Sequence, residues 1–142
     1  MVTVEMLKKE EIPALMELYK ALVPHDLSLE KAERTYDEMR ANSEYLLLAA
    51  KKDGELLGSM LGICCQSLTM PFLVVEDVIV KDGVREKGIG RKLMEALDEF
   101  AKSRNCAYAI LVSSAFRTGA HQFYEKVGYT DSVVGFRKLY EE

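Results

Sequence analysis

Val80-Lys81-Asp82-Gly83-Val84-Arg85-Glu86-Lys87-Gly88-Ile89-Gly90-Arg91-Lys92-Leu93 is the stretch from which the rest of this chain can be read. It begins at the end of a β-branched run, Phe72 to Val80, which reads as a strand. It leads into a segment whose apolar residues Ile89, Leu93, Ala96, Leu97 and Phe100 recur at helical spacing. A strand that turns into a helix through Gly88 and Gly90 leaves the first-turn N–H groups of that helix unobstructed, which suits an approaching anion. Between residues 85 and 92, four cations (Arg85, Lys87, Arg91, Lys92) stand against the single anion Glu86, although the whole chain carries a net charge of −4. A basic helix start on an acidic protein suits a phosphate-bearing ligand; without the charges, the glycines would equally fit a plain tight turn. There is no G-x-x-x-x-G-K-[ST], so the stretch is not a P-loop. Leu93 stands where the third glycine of a dinucleotide fingerprint belongs, and the stretch falls too late in the chain for one.

Working outward, the pattern predicts a short strand at 2–7, a helix from Ile12 to Leu22, and a second helix after Ser28, a natural N-cap. Pro24-His25-Asp26 separates the two helices. Tyr45 to Ala50 and Glu55 to Leu68 read as a hairpin turning at Lys51-Lys52-Asp53-Gly54, with irregularity at Gly58 and Gly62. After the helix at about 89–104 come a strand at about 107–112, a helix at about 117–127, and a tail, 129–140, that reads as one bent strand or two short ones. This order predicts one domain over residues 1–142, of class α/β (α+β). Its mixed central sheet of about six to seven strands carries helices on both faces.

Composition bounds the function. The chain has 142 residues, 49% hydrophobic and 30% charged, which excludes a disordered tail, a fibre and a membrane bundle. No apolar run approaches the ~20 residues that span a bilayer, and the N-terminus has no signal-peptide pattern, so a cytoplasmic location is expected. The acidic balance argues against nucleic acid as a partner. Cys64, Cys65 and Cys106 show no C-x-x-C spacing, and with only His25 and His121 beside them no metal site is expected. The cysteines read as small buried hydrophobes in a reducing compartment.

Two segments together resemble the GCN5-related N-acetyltransferases. The first is Arg85-Glu86-Lys87-Gly88-Ile89-Gly90 behind Glu76-Asp77-Val78-Ile79-Val80, similar to the family's Arg/Gln-x-x-Gly-x-Gly/Ala loop. The second is Arg117-Thr118-Gly119-Ala120-His121-Gln122-Phe123-Tyr124-Glu125-Lys126-Val127-Gly128-Tyr129. The resemblance implies acetyl-coenzyme A as co-substrate, its pyrophosphate on the loop from Arg85 to Arg91. Val78, Ile79 and Val80 would pair with the pantetheine arm, on a strand splayed from its parallel neighbour. It implies Tyr124 as general acid to the leaving thiolate. Many members carry Asn where this chain has Arg117, which leaves Arg117 a cofactor-binding position of unassigned role. The Ala120-His121 pairing resembles members that acetylate small amines, although a helix histidine without a role fits as well.

Transfer to an amine needs a neutral nucleophile. An alkyl ammonium of pKa ~10.4 loses its proton at pH 7 at a cost of roughly 4–5 kcal/mol. A carboxylate can take that proton, directly or through water, and Glu76 and Asp77 are the candidates. Adjacent strand residues face opposite sides, so only one of them should reach a given substrate, and Glu76 is favoured. The expected activity is transfer of an acetyl group to a small-molecule or peptide amine, by direct attack. The alternative is a non-catalytic acyl-coenzyme A sensor. A homodimer is compatible with either.

Overall fold

The computed structural model describes residues 1–24, 26–84, 87–113 and 118–140. Five strands form one sheet in the order β1-β2-β3-β4-β5. They are β1 (Thr3–Met6), β2 (Tyr45–Lys52), β3 (Glu55–Cys65), β4 (Phe72–Val80) and β5 (Ala109–Leu111). Four helices accompany them: α1 (Ile12–Tyr19), α2 (Leu29–Arg40), α3 (Ile89–Ser103) and α4 (Thr118–Lys126). Local chemistry explains the boundaries. Asp53 and Gly54, with φ of 52° and 80°, close the β2–β3 hairpin, because such a two-residue turn needs left-handed residues. Ser28 Oγ accepts from Lys31 N at 3.3 Å and starts α2. Pro13 sits in the first turn of α1, where its missing N–H is harmless.

The sheet is antiparallel except at its last pair. β4 and β5 run parallel and match at only three positions, Leu73↔Ala109, Val74↔Ile110 and Val75↔Leu111. Beyond Val75, β4 continues to Val80 with no partner on that side among the described residues. The expected splay is therefore present. The count of six to seven strands is not: five are described, and residues 131–140 form none. The expected irregularity is present beside Gly58, where the β2–β3 register slips between Ala50↔Gly58 and Lys51↔Leu56, and absent at Gly62; both glycines make room for α3. A Cβ at Gly62 would lie 2.7 Å from Leu97 Cδ2, and one at Gly58 would lie 3.1 Å from Ile89 Cγ2.

Apolar cores lie on both faces of the sheet. On one, Leu93, Met94 and Leu97 of α3 pack against Leu48, Ala50, Leu73 and Val75, with Phe123 and Tyr124 of α4 at the margin. On the other, Ile12 and Leu15 of α1 pack against Ala49 and Leu56 beside Leu7, and Tyr36 of α2 donates to Leu7 O at 2.7 Å. Cys64 is buried and Cys106 half-buried, with their Sγ atoms 3.5 Å apart and both thiols free. Burial, then the neighbouring Cys106 and Glu44, push the Cys64 thiol up to about 12. No helix among the described residues is long and apolar enough to cross a membrane.

Candidate active site

The splay leaves a cavity of about 220 Å³. Its walls are β4 from Val75 to Val78, the end of β5 at Leu111 with Val112 and Ser113, Leu22 after α1, and Tyr124 of α4. Alternation along β4 predicts that Glu76 and Asp77 diverge, yet both line this cavity. The reason is a bulge. The β3–β4 register slips between Ser59↔Ile79 and Leu61↔Glu76, and Asp77 takes up the extra residue at φ 50°, in the left-handed region. Asp is among the few residues that occupy that region readily. Strict strand alternation is therefore interrupted between the two carboxylates.

Both groups keep solvent contact, and the protein packed around them still raises their pKa values. Burial lifts Glu76 above its ordinary value, with the charge of Asp77 adding to it. Burial alone lifts Asp77. Tyr19, at the end of α1, is pushed well above its usual value by burial first and by Asp77 second, while Ser59 opposes the shift. Ser59 Oγ is fully buried and has no partner at hydrogen-bond geometry among the described residues. Tyr124 is half-buried, with its ring 5.6 Å from Phe123 and 6.2 Å from Tyr129. The buried Tyr129 hydroxyl also lacks a hydrogen-bond partner among the described residues and is raised to about 12 by burial, then by Asp98 and Tyr124.

The glycine stretch divides into two roles. Gly88 is the N-cap of α3 at φ 80°, with open space where a Cβ would stand, and no side chain caps the helix. The first backbone bond returning to this turn is Lys92 N to Gly88 O, at 3.0 Å, so the preceding N–H groups remain available to an anion. Gly90 serves packing instead: a Cβ there would meet Phe123 Cζ at 2.9 Å. Ile89 is buried in the core, Lys87 and Arg91 are exposed, and Lys92 Nζ donates to Val2 O at 3.2 Å. Val78, Ile79 and Val80 are half-buried on the unpaired part of β4. Arg85, Glu86 and Arg117 lie outside the described residues. An open strand edge, a cavity and an uncapped basic helix start in sequence fit an extended ligand with a phosphate end.

A family model described as the acetyltransferase (GNAT) family matches residues 12–129. The chain belongs to the GNAT acetyltransferases. A search of curated proteins finds no match. Among solved structures, this GNAT domain is similar to glucosamine-6-phosphate N-acetyltransferase from Arabidopsis thaliana at TM-score 0.88 and 21% identity, covering 99% of each chain. An acetyltransferase from Trypanosoma brucei superimposes at TM-score 0.82 and 24% identity, over 97% of this chain and 99% of that one. AAC(6')-Iy, solved with the bisubstrate analog CoA-S-monomethyl-acetylneamine, superimposes at TM-score 0.79 and 19% identity, over 98% and 99%. At such identities these neighbours establish the GNAT fold, and the family match establishes an acyltransferase.

Within this GNAT domain, the cavity is lined by the sequence candidates Glu76, Asp77 and Tyr124, and other residues that the sequence did not single out as site residues stand beside them. Leu22 and Ser113 line the cavity, Tyr19 feels the charge of Asp77, and Tyr129 packs on Tyr124. Leu22 and Tyr19 lay in the predicted first helix and Ser113 just past the predicted strand; only tertiary packing brings them here. A second cavity of about 260 Å³, lined by Tyr36, Arg40, Leu46 and Arg104 among others, contains none of the motif residues. The smaller one is therefore taken as the site.

Proposed function

We propose that this GNAT domain transfers the acetyl group of acetyl-coenzyme A to a primary amine on a small molecule or peptide. The observation that carries this reading is the single cavity that gathers Glu76, Asp77 and Tyr124 between the splayed β4 and β5. Acetyl-coenzyme A supplies an acetyl thioester; the chain's residues supply binding and proton transfer. The N–H groups at the start of α3, with Lys87, Arg91 and the motif position Arg85, hold the pyrophosphate. The open edge of β4 from Val78 to Val80 aligns the extended arm. Glu76 or Asp77 accepts the amine's proton, and the raised pKa of each makes its carboxylate a stronger base than an ordinary one. The Tyr124 hydroxyl donates to the departing thiolate. The net charge of −4 favours a cationic amine over an anionic acceptor. Free, non-paired thiols accord with work in a reducing cytoplasm.

The test is release of free thiol from acetyl-coenzyme A against a panel of small amines and peptides. Amine-dependent release supports the proposal. Binding of acetyl-coenzyme A without release for any amine would favour the non-catalytic sensor.

A further inference from the structure

We infer that Cys64 and Cys106 form an oxidation site: a hydroperoxide converts the two thiols into an intramolecular disulfide that locks the closed end of the β4–β5 seam. Their sulfurs stand 3.5 Å apart, although the residues are 42 positions apart in the chain. Both thiols are free, and neither lines the candidate active site. A disulfide bond is about 2.05 Å long, so closure asks each sulfur to move by roughly 0.7 Å.

The contact is built on fixed backbone. Cys64 lies near the end of β3, paired with Leu73, and its N–H donates to Glu44 O at 2.8 Å. Cys106 stands just past α3. Asn105 takes the left-handed conformation at φ 58° and donates to Lys102 O at 3.1 Å, while Cys106 N donates to Ala101 O at 2.9 Å. These two bonds make a Schellman ending, which fixes the direction of the residue after the left-handed one. Ala107 N then donates to Pro71 O at 2.9 Å, securing the turn beside the start of β4. Cys65 is the contrast: one step along β3 it faces the other way, with its Sγ donating to Ile63 O at 3.8 Å.

Exposure sets the order of events. Cys64 is 3% exposed, and burial, with Cys106 and Glu44 beside it, keeps its thiol protonated. Cys106 is half-buried and meets the oxidant first. Its sulfur attacks one peroxide oxygen and the O–O bond breaks, giving a sulfenic acid and an alcohol or water. The Cys64 sulfur then attacks the sulfenic sulfur. The S–O bond breaks, and the hydroxyl departs with the Cys64 proton as water. The peroxide gains two electrons and the thiol pair loses two. Leu73 of β4 pairs with Cys64 on one side and with Ala109 on the other. The bond therefore spans the first rung of a β4–β5 ladder that matches at only three positions, and ties β3 to the turn that launches β5. The inference does not depend on the proposed activity.

The test treats the unaltered chain with hydrogen peroxide, counts its thiols in denaturant and maps its tryptic peptides. Thiols should fall from three to one, with residues 53–81 joined to residues 105–117 of the same chain. Cys65→Ser should keep that link; Cys64→Val and Cys106→Ser should each lose it. The oxidised protein should melt roughly 5–15 °C higher, because a bond closing a long loop restricts the unfolded chain, and dithiothreitol should reverse the gain. Three thiols remaining after peroxide would overturn the inference. So would a link through Cys65, a sulfinic acid at Cys106 in place of a link, or a bond between two chains. A cross-linked protein that melts no higher would overturn the lock. The peptide map of the unaltered protein decides the matter even where a variant fails to fold.

Discussion

Asp77 holds a backbone conformation that few residues adopt inside a strand, φ 50°, and it carries a charge that its surroundings disfavour. Both are local costs, and such costs collect where function requires them. Its folded pKa is raised, so the stability linked to its protonation is present below the unfolded value of about 3.8 and is lost as pH rises through the folded value. Asp77→Asn keeps the left-handed preference and removes the charge. It should raise the melting temperature at pH 7, with the gain vanishing near pH 3, while turnover falls by ~10²-fold or more if Asp77 is the base. Glu76→Gln tests the other carboxylate. For the true base the loss is largest near neutrality and shrinks towards the amine's own pKa; a loss equal at every pH assigns that residue a structural role. Tyr124→Phe preserves the ring contacts with Phe123 and Tyr129. Turnover should drop by ~10²–10⁴ with melting temperature and coenzyme A affinity nearly unchanged, and wild-type turnover would refute the assignment. All three stand out in the sequence as candidates, Glu76 and Asp77 as carboxylates late on a strand and Tyr124 as the tyrosine of the second segment. Their convergence is not legible there: strand alternation separates Glu76 from Asp77, and only the slip in register against β3 brings them to one cavity.

At the scale of elements, α3 lies on the sheet through glycines. Leu97 is fully buried against Gly62, so Gly62→Ala forces a methyl into a space 2.7 Å from Leu97 Cδ2. The expected loss is about 1–3 kcal/mol, read as a lower denaturation midpoint with an unchanged m-value. Gly119 in α4 is the contrast. Nothing lies within 4 Å of a Cβ there, and Gly119→Ala should stabilise by up to ~1 kcal/mol through helix propensity. Sequence periodicity placed both helices within a residue or two, because α3 alternates buried and exposed positions over fifteen residues. It could not distinguish a glycine kept for packing from one kept for a turn, since that depends on which side chain stands opposite.

For the whole molecule, the open seam between β4 and β5 is what a bound co-substrate would fill. A ligand that occupies the folded state alone stabilises it by about 2.7 kcal/mol at one hundred times its Kd. Free coenzyme A should therefore raise the melting temperature, and Lys87→Ala with Arg91→Ala should reduce the shift, most clearly at low salt. Lys92→Ala should instead lower the melting temperature of the free protein, since its ammonium ties α3 to Val2 O. An unchanged melting temperature with millimolar coenzyme A would refute binding at this loop. The order of elements was legible from Thr3 to Lys126, because hydrophobic period and turn residues are local signals. The tail was not, because its strand-like residues join no ladder among the described residues.

The close approach of Phe123 to Gly90 links the two signature segments mechanically. A side chain at position 90 would displace the ring that precedes Tyr124, so a drift in the loop is felt at the tyrosine. The double replacement, Gly90→Ala with Phe123→Leu, should recover function that Gly90→Ala alone loses.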